Sequence, residues 1–148
     1  MADITADTPV QYEACADELT ERWKIDAGLS GSLYAGQIAQ LDGSTAGEVK
    51  NVVATATADF AGVLLEGGAA GKVVSLRRRG ILIGTIVDLV SAGDEGAAVY
   101  ALSNNPHDLT TVATLSMPIG TIARVITAGT AVASGVAVFF EADGLTSR

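Results

Sequence analysis

Residues Phe60–Val90 read FAGVLLEGGAAGKVVSLRRRGILIGTIVDLV. The spacing predicts three strands divided by glycines: Phe60–Glu66, Lys72–Arg79 and Ile81–Val90. Aliphatic and β-branched side chains fill all three runs, and none of those side chains performs chemistry. The one charged feature is Arg77-Arg78-Arg79, three of the nine Lys and Arg residues in the chain.

The rest of the composition agrees with a β reading. At 148 residues the length suits one domain, and such a domain buries roughly two-thirds of its unfolded surface. Hydrophobic residues make up 49%, yet aromatics only 5%, and there are 17 glycines. Small aliphatic residues punctuated by glycine favour short strands and tight turns over long helices. Net charge is −8, which argues against a nucleic-acid binder built on phosphate neutralisation. Residues 1–26 hold seven acids against two bases, so they form a distinct acidic segment.

Cys15 is the only cysteine, so no internal disulfide forms and a reducing compartment is expected. Met1-Ala2-Asp3-Ile4 opens acidic, without the basic and apolar regions of a signal peptide, which predicts synthesis in the cytoplasm. The longest apolar runs, Ile81–Val90 and Ala131–Phe140, fall short of the ~20 residues that span a bilayer. No membrane partner is expected.

Before the β pattern, Thr8-Pro9 followed by Gln11 resembles a capping box with proline at the first helical position. Tyr12, Cys15, Ala16, Leu19 and Trp23 recur at helical spacing, and Glu18 stands four residues before Arg22. Pro9–Glu21 is therefore read as a short helix in an N-terminal arm, residues 1–26. The rival reading is an extended arm ending in a strand, because Arg22–Asp26 alternates polar and apolar. Residues 27–148 are read as the body, expected to fold without the arm. Leu33–Leu41 predicts a strand closed by the hairpin signal Asp42-Gly43, with Glu48–Thr55 returning. Further strands are expected at Ala97–Leu102, Leu109–Leu115, Pro118–Thr127 and Val132–Glu141, with polar turns between them. Gly36, Gly62, Gly84 and Gly120 interrupt strands, as bulges and corners do. The predicted fold is all-β, a small β-barrel or β-sandwich-like body carrying that arm.

No enzymatic activity, cofactor or metal is expected of this sequence. His107 is the only histidine and sits in a polar turn. No G-x-S-x-G elbow occurs. Gly67–Lys72 lacks the spacing of a phosphate-binding loop and is read as a hairpin. Asp94-Glu95, flanked by glycines, is read as a solvated turn and not a calcium site. Cys15, on the apolar stripe of the proposed helix, is read as a small buried hydrophobe. Two features ask for a partner. Arg77, Arg78 and Arg79 are either solvated or paired with carboxylates of a neighbouring chain. Tyr12 and Trp23 either pack onto the body or anchor the arm on a partner.

One resemblance organises these readings. Leu33–Ala39, Phe60–Leu64, Gly71–Val74 leading to Arg79-Gly80, Gly96–Tyr100, Ile119–Ala123 and Gly135–Phe140 follow one another in a recurring order. Over residues 30–141 the chain resembles the head decoration (capsid cement) proteins of tailed bacteriophages. The resemblance implies a β-barrel-like module, often a homotrimer, that binds the major capsid protein on the outside of the assembled shell. The location implied is the capsid surface of the virion, and an N-terminal arm adds to the capsid contact. A tail or fibre module is the first alternative reading, and a small-ligand-binding barrel the second.

Overall fold

The computed structural model describes residues 3–14, 18–52, 59–88, 90–113, 116–127 and 134–142. In chain order the strands are β1 (Tyr12–Glu13), β2 (Leu19–Ile25), β3 (Ser32–Leu33), β4 (Ile38–Leu41), β5 (Glu48–Asn51) and β6 (Phe60–Leu64). There follow β7 (Gly68–Ala69), β8 (Val73–Ile86), β9 (Ala98–Ala101), β10 (Leu109–Thr110), β11 (Met117–Thr127) and β12 (Ser134–Glu141). A 3-10 turn at Ala92–Asp94 precedes β9. The fold is all-β.

Strand β8 holds the architecture together. Its 14 residues span about 45 Å at ~3.3 Å per residue, longer than most strands. One edge of β8 takes β2 along Val73–Arg79, then β1 at Ile81–Leu82, then β10 at Ile86. The other edge takes β6 at Leu76–Arg77 and β12 from Arg79 to Ile86. Two rings result, both sharing β8: β8–β2–β5–β4–β6 and β8–β12–β11–β9–β10. The β2–β5 and β10–β8 pairings are parallel, and the others in the rings are antiparallel. Closing a sheet on itself removes the exposed edges that invite aggregation.

Each ring encloses a core. Ile25, Val49, Leu64, Val74 and Leu76 pack inside the first, and Leu82, Ile86, Val99, Ile122, Val138 and Phe140 inside the second. Strand β6 stands between them. Ala61 and Leu64 join the first core, Phe60 and Val63 the second, and every residue of β6 is buried. A strand covered on both faces reads as an unbroken apolar run, and Phe60–Leu64 does. Gly62 sits there at φ 141°, and a Cβ at this position would lie 2.6 Å from the carbonyl oxygen of Arg77. The two strands approach closely because this residue has no side chain.

Several expectations change. Lys72–Arg79 and Ile81–Val90 are one strand, with Gly80 paired to Phe140 inside the ladder. A Cβ on Gly80 would stand 3.3 Å from Arg77 Cδ and 3.5 Å from the Phe140 ring, so the position is closely packed on its buried side, and the glycine continues the strand without breaking it. The strand stops at Ile86, where Val87 and Asp88 bend away. Leu33–Leu41 divides into β3 and β4 at a turn containing Gly36, φ 89°. The Asp42-Gly43 hairpin forms, with a longer loop whose last residue, Gly47, has φ 79°. Of Leu109–Leu115 only Leu109–Thr110 is strand, because Thr111 turns to bind Asp88; Thr114 and Leu115 lie outside the described residues.

The helix expected over Pro9–Glu21 does not form. Tyr12-Glu13 and Leu19–Ile25 instead lie antiparallel along β8. Leu19, Glu21, Trp23 and Ile25 turn toward the protein while Thr20, Arg22 and Lys24 are exposed, a period of two. Main-chain bonds to the edge of β8 outcompete the local helical pattern. The expected cap pair and turn pair also dissolve. The Thr8 hydroxyl donates to Ala6 O, Glu18 pairs with Arg77, and Arg22 pairs with Glu66. Cys15 lies outside the described residues. Nor does hydrogen bonding break at residue 26. The Ile25 N–H donates to Lys72 O, the Asp26 N–H to Val49 O, and Ile25 is fully buried.

Candidate functional site around the arginine triplet

In a strand, alternate side chains face opposite ways, and β8 obeys this along its whole length. Arg78 therefore falls on the buried face with Val74, Leu76 and Leu82, and only 2% of it is exposed. A charge there requires neutralisation and filled hydrogen-bond positions. Glu21 of β2 supplies the first, at 2.7 Å from Arg78 Nη1. The Ala61 carbonyl accepts from Arg78 Nε at 3.0 Å, and the guanidinium lies 4.5 Å from the Trp23 ring centroid. The β2–β8 register sets Trp23 opposite Val74, on the face of β8 that Arg78 shares, and the long Arg78 side chain spans the four residues between them.

Arg77 pairs with Glu18 at 3.0 Å and lies 4.3 Å from the centroid of Tyr12. Tyr12 reaches this position through its pairing with Leu82, and its ring also tilts against Phe140. Burial pushes the Tyr12 phenol up to about 12, with the Arg77 charge working against the shift. Tyr12 Oη and Arg77 Nε are both buried without a hydrogen-bond partner among the described residues. Arg79 pairs with Glu141 across the β8–β12 ladder at 3.5 Å.

All five residues singled out in the sequence thus sit along β8 and the strands paired to one of its edges. Each arginine meets a carboxylate of its own chain. Two of these carboxylates, Glu18 and Glu21, come from the acidic N-terminal segment, so its charge complements the triplet. Tyr12 and Trp23 meet those arginines face on. Sequence reasoning missed the link because pairing Glu18 and Glu21 with β8 requires knowing the register of β2.

The other polar candidates serve turns. His107 Nδ1 lies 2.9 Å from Thr85 Oγ1, and its N–H donates to Asn105 Oδ1. Asp94 accepts from Ser91 N, and Glu95 from Val125 N. Partial burial works to raise the Asp88 carboxyl, but bonds from Thr111 N and the Thr110 and Thr111 hydroxyls hold it below the usual range. Asp26, Asp42 and Glu48 bring carboxylate oxygens within 4.8 Å of one another. Distance along the chain hid this group from sequence reasoning. Each already accepts a hydrogen bond, from Gly28 N, Ser44 N and Ala27 N respectively, and Lys24 stands 3.4 Å from Glu48. A cavity of about 300 Å³ lies between Thr8, Pro9, Val10 and Tyr12 on one side and Gly36, Leu64 and Leu65 on the other. Asp7, which also lines it, accepts from Ala35 N.

No protein-family model matches the chain, and no curated protein matches it either.

Proposed function

We propose that this chain is a structural protein of a tailed-bacteriophage head, a decoration protein that binds the outside of the assembled capsid and reinforces it. One observation carries the reading. Three of the segments that carry the resemblance are ring strands: Phe60–Leu64 is β6, which closes the first ring on β8, and Ile119–Ala123 and Gly135–Phe140 lie in β11 and β12 of the second. Their glycines stand at close approaches, Gly62 against the Arg77 carbonyl and Gly120 against the backbone of Phe139. A cement protein requires a rigid body that presents fixed surfaces, and two cores sharing one long strand supply it. Such a protein acts without cofactor or catalytic group. Its partner is the major capsid protein, and a homotrimer engaging several capsid subunits gains by avidity what single contacts lack.

The test is reconstitution. Purified protein is added to expanded phage heads that lack it, and the heads are sedimented. Saturable co-sedimentation, with heads that withstand more heat or chelation, is the expected result. Heads that bind no protein would sink the proposal, and immunogold labelling on tails would transfer the chain to a tail or fibre role.

A further inference from the structure

The segment from Asp7 to Tyr12 crosses the turn between β3 and β4 without filling the space beside it. Thr8 N donates to Ala35 O at 2.8 Å, and Ala35 N donates to Asp7 Oδ1 at 2.9 Å. Gly36 N donates in turn to Leu64 O at 2.8 Å, which ties the turn to the end of β6. A Cβ on Gly36 would lie 2.1 Å from Thr8 O, so only glycine fits where the segment meets the body. Beside this contact the two sides part and leave the cavity of about 300 Å³.

The walls are mostly apolar, with Pro9, Val10 and Tyr12 on one side and Leu64 and Leu65 on the other. Asp7 adds a carboxylate to the lining, and it forms no ion pair among the described residues. The cations around the cavity are engaged elsewhere. Lys72 donates to Gly67 O at 2.9 Å, Arg22 pairs with Glu66, and Arg77, over the Tyr12 ring, pairs with Glu18. Charge therefore selects the ligand. An anion meets Asp7 and a net charge of −8, and a neutral apolar molecule gains from the walls alone. An ammonium on an apolar stem gains from both, with its head still wet at an exposed carboxylate. The volume is at the small end of the range for ligand sites, enough for one ring or a short alkyl chain.

We propose that this cavity binds a small primary amine, its stem between Val10 and Leu65 and its ammonium at Asp7. The site needs no capsid, so the proposal stands or falls apart from the decoration reading.

The experiment is an amide NMR titration of the full chain with three probes of matched shape: phenethylamine, 2-phenylethanol and 3-phenylpropionate. Phenethylamine is expected to give saturable shifts centred on Gly36, Leu64 and Leu65. The alcohol should bind about fivefold more weakly, the worth of an exposed ion pair, and the acid more weakly still. Asp7→Asn keeps an oxygen to accept from Ala35 N, and should bring the amine down to the affinity of the alcohol. The three probes on the wild type decide the matter if that variant fails to fold. Overturning results are no saturable shift, amine shifts spread evenly over the acidic surface, an alcohol that binds as tightly as the amine, or a folded Asp7→Asn that binds the amine as the wild type does.

Discussion

Arg78 and Glu21 form an ion pair at 2.7 Å, with the guanidinium 2% exposed and the carboxylate 29%. The pair joins β8 to β2, and the Ala61 carbonyl ties the same guanidinium to β6. Three strands of the first ring therefore converge on one cation. Desolvating a charge is costly, and the Glu21 carboxylate, the Ala61 carbonyl and the face of Trp23 all contribute to the compensation.

Removing the Glu21 carboxylate takes the ion-pair partner from a guanidinium that stays buried. Glu21→Ala should destabilise the protein by about 3 kcal/mol, the low end of the range for breaking a buried pair, since water reaches Glu21. Arg22→Ala breaks an exposed pair with Glu66 and should cost under ~1 kcal/mol. The double variant Glu21→Ala/Arg78→Met should recover part of the loss, because no charge then remains buried. Urea unfolding followed by Trp23 fluorescence measures all three. Equal costs for the two single changes would refute the assignment.

What could be read beforehand follows from how local each signal is. Phe60–Leu64 announces a strand because burial on both faces leaves an unbroken apolar run. The alternation of Val74, Leu76 and Arg78 with Ser75, Arg77 and Arg79 likewise lies within a few residues. Leu19–Ile25 satisfies two periods at once: Leu19 and Trp23 are four apart, yet Leu19, Glu21, Trp23 and Ile25 alternate. Only the edge of β8 decides between them, and that edge comes from residues fifty positions away. Glu18 and Glu21 as partners of the arginines, and the approach of Asp26 to Asp42 and Glu48, depend on the same long-range register.

Gly62 and Gly43 should respond oppositely to a methyl group. Gly62→Ala places a side chain at φ 141° and 2.6 Å from the Arg77 carbonyl oxygen. The backbone region alone costs about 1–3 kcal/mol, and the displaced β8 adds to it. At Gly43 a Cβ has nothing within 4 Å, so Gly43→Ala should change stability by no more than ~0.5 kcal/mol. Thermal melts of the two variants separate these outcomes, and a neutral Gly62→Ala would contradict the close packing of β6 on β8.

Asp88 predicts an acid dependence. Its folded pKa lies below the unfolded value near ~3.9, since the bonds from Thr111 and Thr110 outweigh burial. The ionised form is therefore favoured by folding. Its contribution is present above the unfolded pKa and is lost as pH falls through the folded one. Asp88→Asn should be less stable than wild type at neutral pH, with the gap narrowing as pH drops below ~4. Urea midpoints at a series of pH values test it. A gap that stays constant into acid would mean the carboxylate charge plays no part.

Deleting residues 1–26 should abolish folding, contrary to what an independent arm implies. The deletion removes β2, and with it the main-chain partner of β8 from Val73 to Arg79. It strips Ile25 from the first core, Glu21 from Arg78 and Glu18 from Arg77. It also removes Ile4, a buried residue whose N–H donates to Asn104 Oδ1 at 2.7 Å. A ring opened on one side exposes Val74 and Leu76 and leaves a strand edge free to aggregate. A shorter deletion, ending before Asp7, keeps β1, β2 and the Thr8–Ala35 bond. It should fold with a lowered melting temperature. Circular dichroism and solubility of the two truncations are the measurements. A soluble, cooperatively melting chain that begins at residue 27 would show that the second ring and the remaining strands of the first suffice without β2.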